Sequence, residues 1–97
     1  MKLRIADLKE FKKEIERRGI KEIAIASKYE TFEDYAKFYV IVSAFDGKIA
    51  IYYREDIGAC LKYDEEKFKL LGEKSLKREN ELREIFKDFH VIRGEYE

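Results

Sequence analysis

The sequence predicts a single α+β domain over residues 1–97, with elements in the order α-β-β-β-α(-β). The expected form is an antiparallel three- or four-stranded sheet with a short N-terminal helix and a long charged C-terminal helix. Three observations predict it: amphipathic, charge-rich stretches near both ends, alternating apolar runs between them, and an Asp46-Gly47 pair in the longest alternating run. Apolar residues recurring every three to four positions mark helix, and strict alternation marks strand.

In "ADLKEFKKEIERRG", Asp7 can cap the first turn, and Leu8, Phe11 and Ile15 recur on one side until Gly19 ends the helix. Before it, Leu3 and Ile5 alternate with Lys2 and Arg4, consistent with a short extra strand or a packed lead-in. "IKEIAIASKY" then alternates as a strand, with Ile23, Ile25 and Tyr29 on one face and Ala24 and Ala26 on the other.

"ETFEDYA" is expected as a loop or single turn, followed by the hairpin "FYVIVSAFDGKIAIYY". A two-residue turn centred on Asp46-Gly47 sets Phe45 against Lys48, Val42 against Ile51, Ile41 against Tyr52 and Tyr39 against Arg54. One face then carries Phe38, Val40, Val42, Ala44, Ile49, Ile51 and Tyr53. The other carries Tyr39, Ile41, Ser43, Phe45, Lys48, Ala50, Tyr52 and Arg54.

"EDIGACLKY" is expected as a short helical turn. Asp64 then caps a helix in which Glu65, Lys69, Glu73, Lys77 and Glu81 alternate in sign every fourth residue, so it runs through Gly72 to about Asp88. Phe68, Leu71, Leu82, Ile85, Phe86 and Phe89 form its buried side, with Ser75 a gap. Its length of about 37 Å exceeds a domain core of about 25 to 30 Å, so one end projects or packs on a second subunit. "FHVIRGEY" is a candidate fourth strand.

Composition narrows the functional classes. Lys plus Arg equal Asp plus Glu at 21 each, so no net field draws the molecule to a polyanion, and such binding would need a local patch. Charged residues make up 43%, but 45% apolar residues, with seven Tyr and seven Phe, supply a core that disordered chains lack. Abundant Lys and Glu with no Gln and one Asn suggest a thermophilic composition, although the absence of Pro runs against it. One Cys forms no internal disulfide, no apolar run reaches the ~18 residues of a membrane span, and the N-terminal stretch lacks the apolar core of a signal peptide. A cytoplasmic location without membrane association is the expectation.

The apolar character of both hairpin faces poses the functional question. One helix on each face makes it ordinary burial; both helices on the Val/Ile face leave Tyr39, Ile41, Phe45 and Tyr52 open to a partner. A second copy of the chain is the expected partner, giving a homodimer that works by non-covalent association without a cofactor. Alternatively, the rings stack unpaired bases beside Lys48 and Arg54, making a single-stranded nucleic-acid-binding module, which zero net charge disfavours.

An acidic cluster offers a different chemistry. The expected register brings Glu55 and Asp56 to the sheet end that also holds Glu30, Glu33 and Asp34. Oxygen-rich clusters of this kind hold Mg²⁺ or Mn²⁺, and the element order matches the core of many metal-dependent nucleases by analogy of order alone. A nuclease-like phosphodiesterase using Glu30, Asp34, Glu55 and Asp56 is therefore an alternative. The third strand, however, carries Ile49, Ala50, Ile51 and Tyr52 where such enzymes need an acidic residue and a Lys.

His90 and Cys60 have nothing in the sequence to bring them together; the expectation is His90 near a helix C-terminus and Cys60 as a small core residue. Lys9, Lys12, Lys13, Arg17, Arg18 and Lys21 interleave with Glu10, Glu14 and Glu16, which predicts a salt-bridged helix face. The sequence has no Gly-rich phosphate loop, Cys/His metal cluster or Gly-x-Ser-x-Gly elbow.

Overall fold

A computed structural model describes residues 1–94. Its elements are β1 (Lys2–Arg4), α1 (Leu8–Arg17), β2 (Glu22–Phe32), β3 (Tyr35–Asp46), β4 (Ile49–Leu61), α2 (Glu65–Ile85) and β5 (His90–Arg93). The α+β class and both helices follow the sequence pattern. The sheet does not: it has five strands in the order β1-β4-β3-β2-β5 and is mixed, where an antiparallel sheet of three or four was expected. The central β2-β3-β4 meander is antiparallel, while β1 lies parallel to β4 and β5 parallel to β2. Each parallel edge strand adjoins a helix in the chain, and the helix carries the backbone across the sheet so that both strands run the same way.

The hairpin register also differs from expectation. Asp46 pairs with Ile49, Phe45 with Ala50, Val42 with Tyr53 and Ile41 with Arg54. Gly47 and Lys48 are thus the central turn residues, and Gly47 takes the positive φ of 61° there. A turn with Gly at its first central position needs no positive φ at the second, which suits Lys48. The slip is two residues, an even number, so every side chain keeps its expected face although its partner changes.

The segments expected as a loop and as a helical turn are strand. β2 and β3 run on to a tight turn at Glu33-Asp34, and β4 continues to Leu61. Between Phe38 and Tyr39 the register shifts, with Phe38 opposite Gly58 and Tyr39 opposite Asp56, so Ile57 is an extra residue in β4. Such a bulge restores inward pairing beyond it, and Gly58 and Cys60 then face α2. A Cβ on Gly58 would stand 2.8 Å from Leu71 Cδ2, so the helix side chain packs directly onto the strand backbone here.

Both helices pack on one face of the sheet. Phe11 and Ile15 of α1, together with Leu82 of α2 and Phe86, which caps it, meet Ile23, Ile25, Val40, Val42, Ala44, Ile51 and Tyr53 in one cluster. The Phe11 ring sits between Tyr53 and Phe86, at centroid distances of 6.2 and 6.0 Å. A second cluster, Ala36, Phe38, Cys60 and Leu71, seats the first half of α2 on the far end of the meander. Asp7 and Asp64 accept hydrogen bonds from the N–H groups of Glu10 (3.0 Å) and Lys67 (3.1 Å), capping the helices as their sequences predict.

α2 passes through Gly72 but ends at Ile85, short of Asp88. His90 consequently opens β5 beside Glu22, and is not at a helix terminus. Among the described residues no helix is long and apolar enough to cross a membrane.

Candidate functional site: the uncovered sheet face

With both helices on one side, the opposite face of the meander has no helix or strand over it among the described residues. Alternation fixes its membership: Ala24 and Ala26 from β2, Tyr39, Ile41, Ser43 and Phe45 from β3, and Ala50, Tyr52 and Arg54 from β4. Lys2 and Arg4 of β1 pair with Ala50 and Tyr52 and join the same face. The sequence-predicted residues Tyr39, Ile41, Phe45, Tyr52 and Arg54 therefore do lie together.

Small residues form the floor of this face and rings its walls. Ala24 and Ser43 are opposite one another and almost fully buried, although no helix or strand among the described residues covers them. Tyr39, Ile41 and Tyr52 are half-buried, and Phe45 is 37% exposed. Between them runs a shallow groove of about 190 Å³ lined by Lys2, Tyr39, Ile41, Ser43, Tyr52 and Arg54. The Ser43 hydroxyl at its floor has no hydrogen-bond partner among the described residues.

The charges at the Arg54 end of this face are paired within the chain. Arg54 Nη2 donates to Glu30 at 2.8 Å and Nε to Asp56 at 3.1 Å, and Lys37 Nζ lies 3.3 Å from the other Asp56 oxygen. The guanidinium also lies 3.9 Å from the centroid of the Tyr39 ring. Burial opposes charge on Arg54, but its two carboxylate partners outweigh it and raise the pKa of the guanidinium. Burial likewise pushes the Asp56 carboxyl up, and the hydrogen bonds from Arg54 and Lys37 more than offset it, holding Asp56 below its ordinary value.

This network decides where the candidate metal ligands sit. Glu30 and Asp56 reach the same place, with Arg54 between them. Glu55, one residue along the strand, points to the other face, where Arg78 Nε and Nη2 donate to it at 2.7 and 3.0 Å and the Tyr53 hydroxyl donates as well. Asp34 lies in the turn beyond β2, its carbonyl accepting from Lys62 N–H at 2.7 Å. The four carboxylates are thus split between two faces and a turn. Among the described residues no group of three or more His, Cys, Asp or Glu is placed to hold a metal ion.

Cys60 and His90 are far apart: Cys60 aligns with the Thr31 end of β2 and His90 with its Glu22 end, roughly 30 Å away at about 3.3 Å per residue. Of the charges expected to form a salt-bridged α1 face, Glu14 pairs with Arg17 and Arg18, and Arg18 also reaches Asp46 at 2.9 Å, while Lys12 donates to the Ile85 carbonyl at 3.1 Å.

Sequence reasoning missed the roles of Arg78 and Glu79. Glu79 is 4% exposed, and its carboxylate accepts from the Ser27 N–H (3.1 Å) and hydroxyl (3.3 Å), tying α2 to β2. The available signal was spacing: Leu71, Ser75 and Glu79 fall at i, i+4, i+8, on the buried stripe and off the charge ladder.

No protein-family model matches the chain, and no curated protein or solved structure matches it at a significant level.

Proposed function

We propose that the protein acts by non-covalent association, two copies meeting through the uncovered face of the sheet around Tyr39, Ile41 and Tyr52. The observation that carries this is the packing of both helices on the opposite face, which leaves half-buried rings and a floor of small residues without a covering helix or strand among the described residues. Two further features favour a copy of the chain over a polyanion. Arg54 is held by Glu30 and Asp56 and lies over Tyr39, so its charge and that ring face are already engaged. Tyr and Arg enriched around a small apolar centre is also the composition of protein interfaces.

The size suits a small dimer. Four strand spacings of about 4.8 Å and eight residues of about 3.3 Å give roughly 500 Å² on each subunit, or about 1,000 Å² for the pair, the lower bound for a specific interface. A self-complementary patch closes a two-fold dimer without leaving a second copy of the patch exposed.

Light scattering on a sizing column tests this. The wild type is expected at the mass of a dimer, and Tyr39→Glu/Tyr52→Glu at the mass of a folded monomer. A wild type that remains monomeric at high concentration would overturn the reading.

Single-stranded nucleic-acid binding is the second reading, favoured by the placing of Tyr52 in a groove that Lys2 and Arg54 also line. It predicts oligonucleotide binding that weakens with added salt and with Tyr52→Ala.

A further inference from the structure

The uncovered face does not end at Tyr39. Beyond the bulge at Ile57, Ala59 and Leu61 of β4 return to it opposite Lys37 and Tyr35 of β3, and Glu30 and Phe32 of β2 complete the same two rows. The last row, Leu61, Tyr35 and Phe32, is apolar and half exposed, at 50, 49 and 53%. Phe32 and Tyr35 stack there with ring centroids 6.4 Å apart. Phe32 lies roughly 20 Å along β2 from Ile25, which Gly94 bonds, and residues 95–97 span at most about 11 Å, too little to reach it. Along its length the face is thus apolar around Ile41, Ser43 and Tyr52, charged around Arg54, Asp56, Lys37 and Glu30, and apolar again at Phe32.

Association of two copies through this face, as proposed above, is the premise; the pattern then selects their relative direction. Stacked sheets pack with their strands aligned or crossed. A copy crossed at right angles is at most five strands, about 24 Å, wide, against roughly 33 Å from Phe45 to Tyr35, so one apolar block stays open. Aligned copies whose strands run in opposite directions are free to slide. Every slide that covers both Tyr52 and Phe32, however, sets Lys37 and Glu30 against Ser43 and Ala24 or against Ile41 and Ala26, burying charge on apolar surface.

Strands running in the same direction place the two-fold axis along β3, the middle strand of five, and leave no freedom to slide. Each row then meets the same row of the partner, and β2 lies over the partner's β4. Tyr52 stands over the partner's Ala24, Asp56 over the partner's Lys28 and Leu61 over the partner's Phe32. Lys37 meets its own copy at the axis, with Asp56 3.3 Å away to balance it.

We infer that the two copies associate with their β3 strands running in the same direction about a two-fold axis along β3, and that Phe32, Tyr35 and Leu61 pack on the same row of the partner. Two strand spacings of about 4.8 Å and four residues of about 3.3 Å add roughly 130 Å² on each subunit, bringing the pair to about 1,250 Å², within the range of stable specific interfaces.

Nitroxide labels test the direction. They are placed on Asp34→Cys and, in a separate protein, on Lys48→Cys, exposed turn residues at opposite ends of β3, each with the buried Cys60 replaced by Ala. Electron–electron distances between the two copies are expected below about 25 Å at both positions, because sheets stack about 10 Å apart and aligned strands cross at only about 30°. Opposite directions put at least one distance above about 35 Å, since β3 is roughly 36 Å long. Phe32→Glu/Leu61→Glu is expected to raise the dimer dissociation constant at least tenfold while cooperative unfolding is retained.

Three outcomes overturn the inference. One is a dimer with either label distance above about 25 Å. Another is a Phe32→Glu/Leu61→Glu protein that dimerises as tightly as the wild type. Both leave association through Tyr39 and Tyr52 standing. The third is a wild type that stays monomeric, which removes the association itself.

Discussion

Arg54 lies with its guanidinium carbon 3.9 Å from the centre of the Tyr39 ring, on a strand pair whose bulge sets Tyr39 opposite Asp56. The same guanidinium bridges Glu30 and Asp56. One side chain thus ties β2, β3 and β4 together and covers a ring that would otherwise be open. Both carboxylates are close to half exposed, so water screens them and the ion pairs add little. Arg54→Ala is expected to lower stability by about 1 kcal/mol, and a double-mutant cycle with Tyr39→Ala to give a coupling of about 0.5 kcal/mol in urea unfolding.

Tyr53, Glu55 and Arg78 lock β4 to α2 and give the protein an alkaline limit. Burial, and then the hydrogen bond to Glu55, push the Tyr53 hydroxyl up to about 12 from 10. The native state keeps a proton that the unfolded chain loses first. This contribution is present in full below pH 10 and fades as pH rises to about 12, a loss on the order of 2 kcal/mol. Tyr53→Phe is expected to flatten the stability profile over that range in denaturant titrations. Glu55 acts in the opposite direction: burial raises its pKa, but hydrogen bonds with Arg78 and Tyr53 outweigh that and lower it, so its contribution is lost as pH falls below the ordinary carboxylate range.

Glu33 holds a positive φ of 50° in the turn between β2 and β3, a conformation that costs a side chain with a Cβ about 1 to 2 kcal/mol. Glu33→Gly relieves that cost but frees the unfolded chain, so a net gain of up to about 1 kcal/mol is expected. Thermal unfolding checks it, with a rise of roughly 4 to 8 °C per kcal/mol in a domain of this size.

Gly58 is where β4 admits α2. Its Cβ position lies 2.8 Å from Leu71 Cδ2, the end of a buried side chain packed with Ala36, Phe38 and Cys60. Gly58→Ala is expected to destabilise by about 1 to 2 kcal/mol through overpacking. In the Leu71→Ala background the added methyl enters space already vacated, so the two losses are expected to be clearly less than additive in chemical denaturation.

The hairpin faces were legible because period-two alternation survives an even slip of register: Tyr39, Ile41 and Tyr52 share a face in both the expected and the observed pairing. The far half of the meander was not legible. "ETFEDYA" has few alternating apolar residues, because both sides of that ribbon lie beyond the main core, and its turn uses Glu33 where Gly would have signalled it. Ile57 breaks the alternation of β4 at the bulge, so "EDIGACL" reads as irregular. β1 and β5, at three and four residues, are too short for any periodicity to reveal a parallel partner. The acidic cluster failed to gather because Glu55 and Asp56 are neighbours on one strand and so face opposite sides, as alternation dictates in any register, and because Arg54 pairs with Glu30 and Asp56.

An isotope-filtered NOE experiment on an equimolar mixture of ¹³C-labelled and unlabelled protein tests association through the uncovered face most directly. Self-association there predicts cross-peaks between the Ile41 methyls of one copy and the Tyr52 ring of the other, lost in Tyr39→Glu/Tyr52→Glu. A dimer whose intermolecular cross-peaks involve other residues and spare Ile41 and Tyr52 would contradict it.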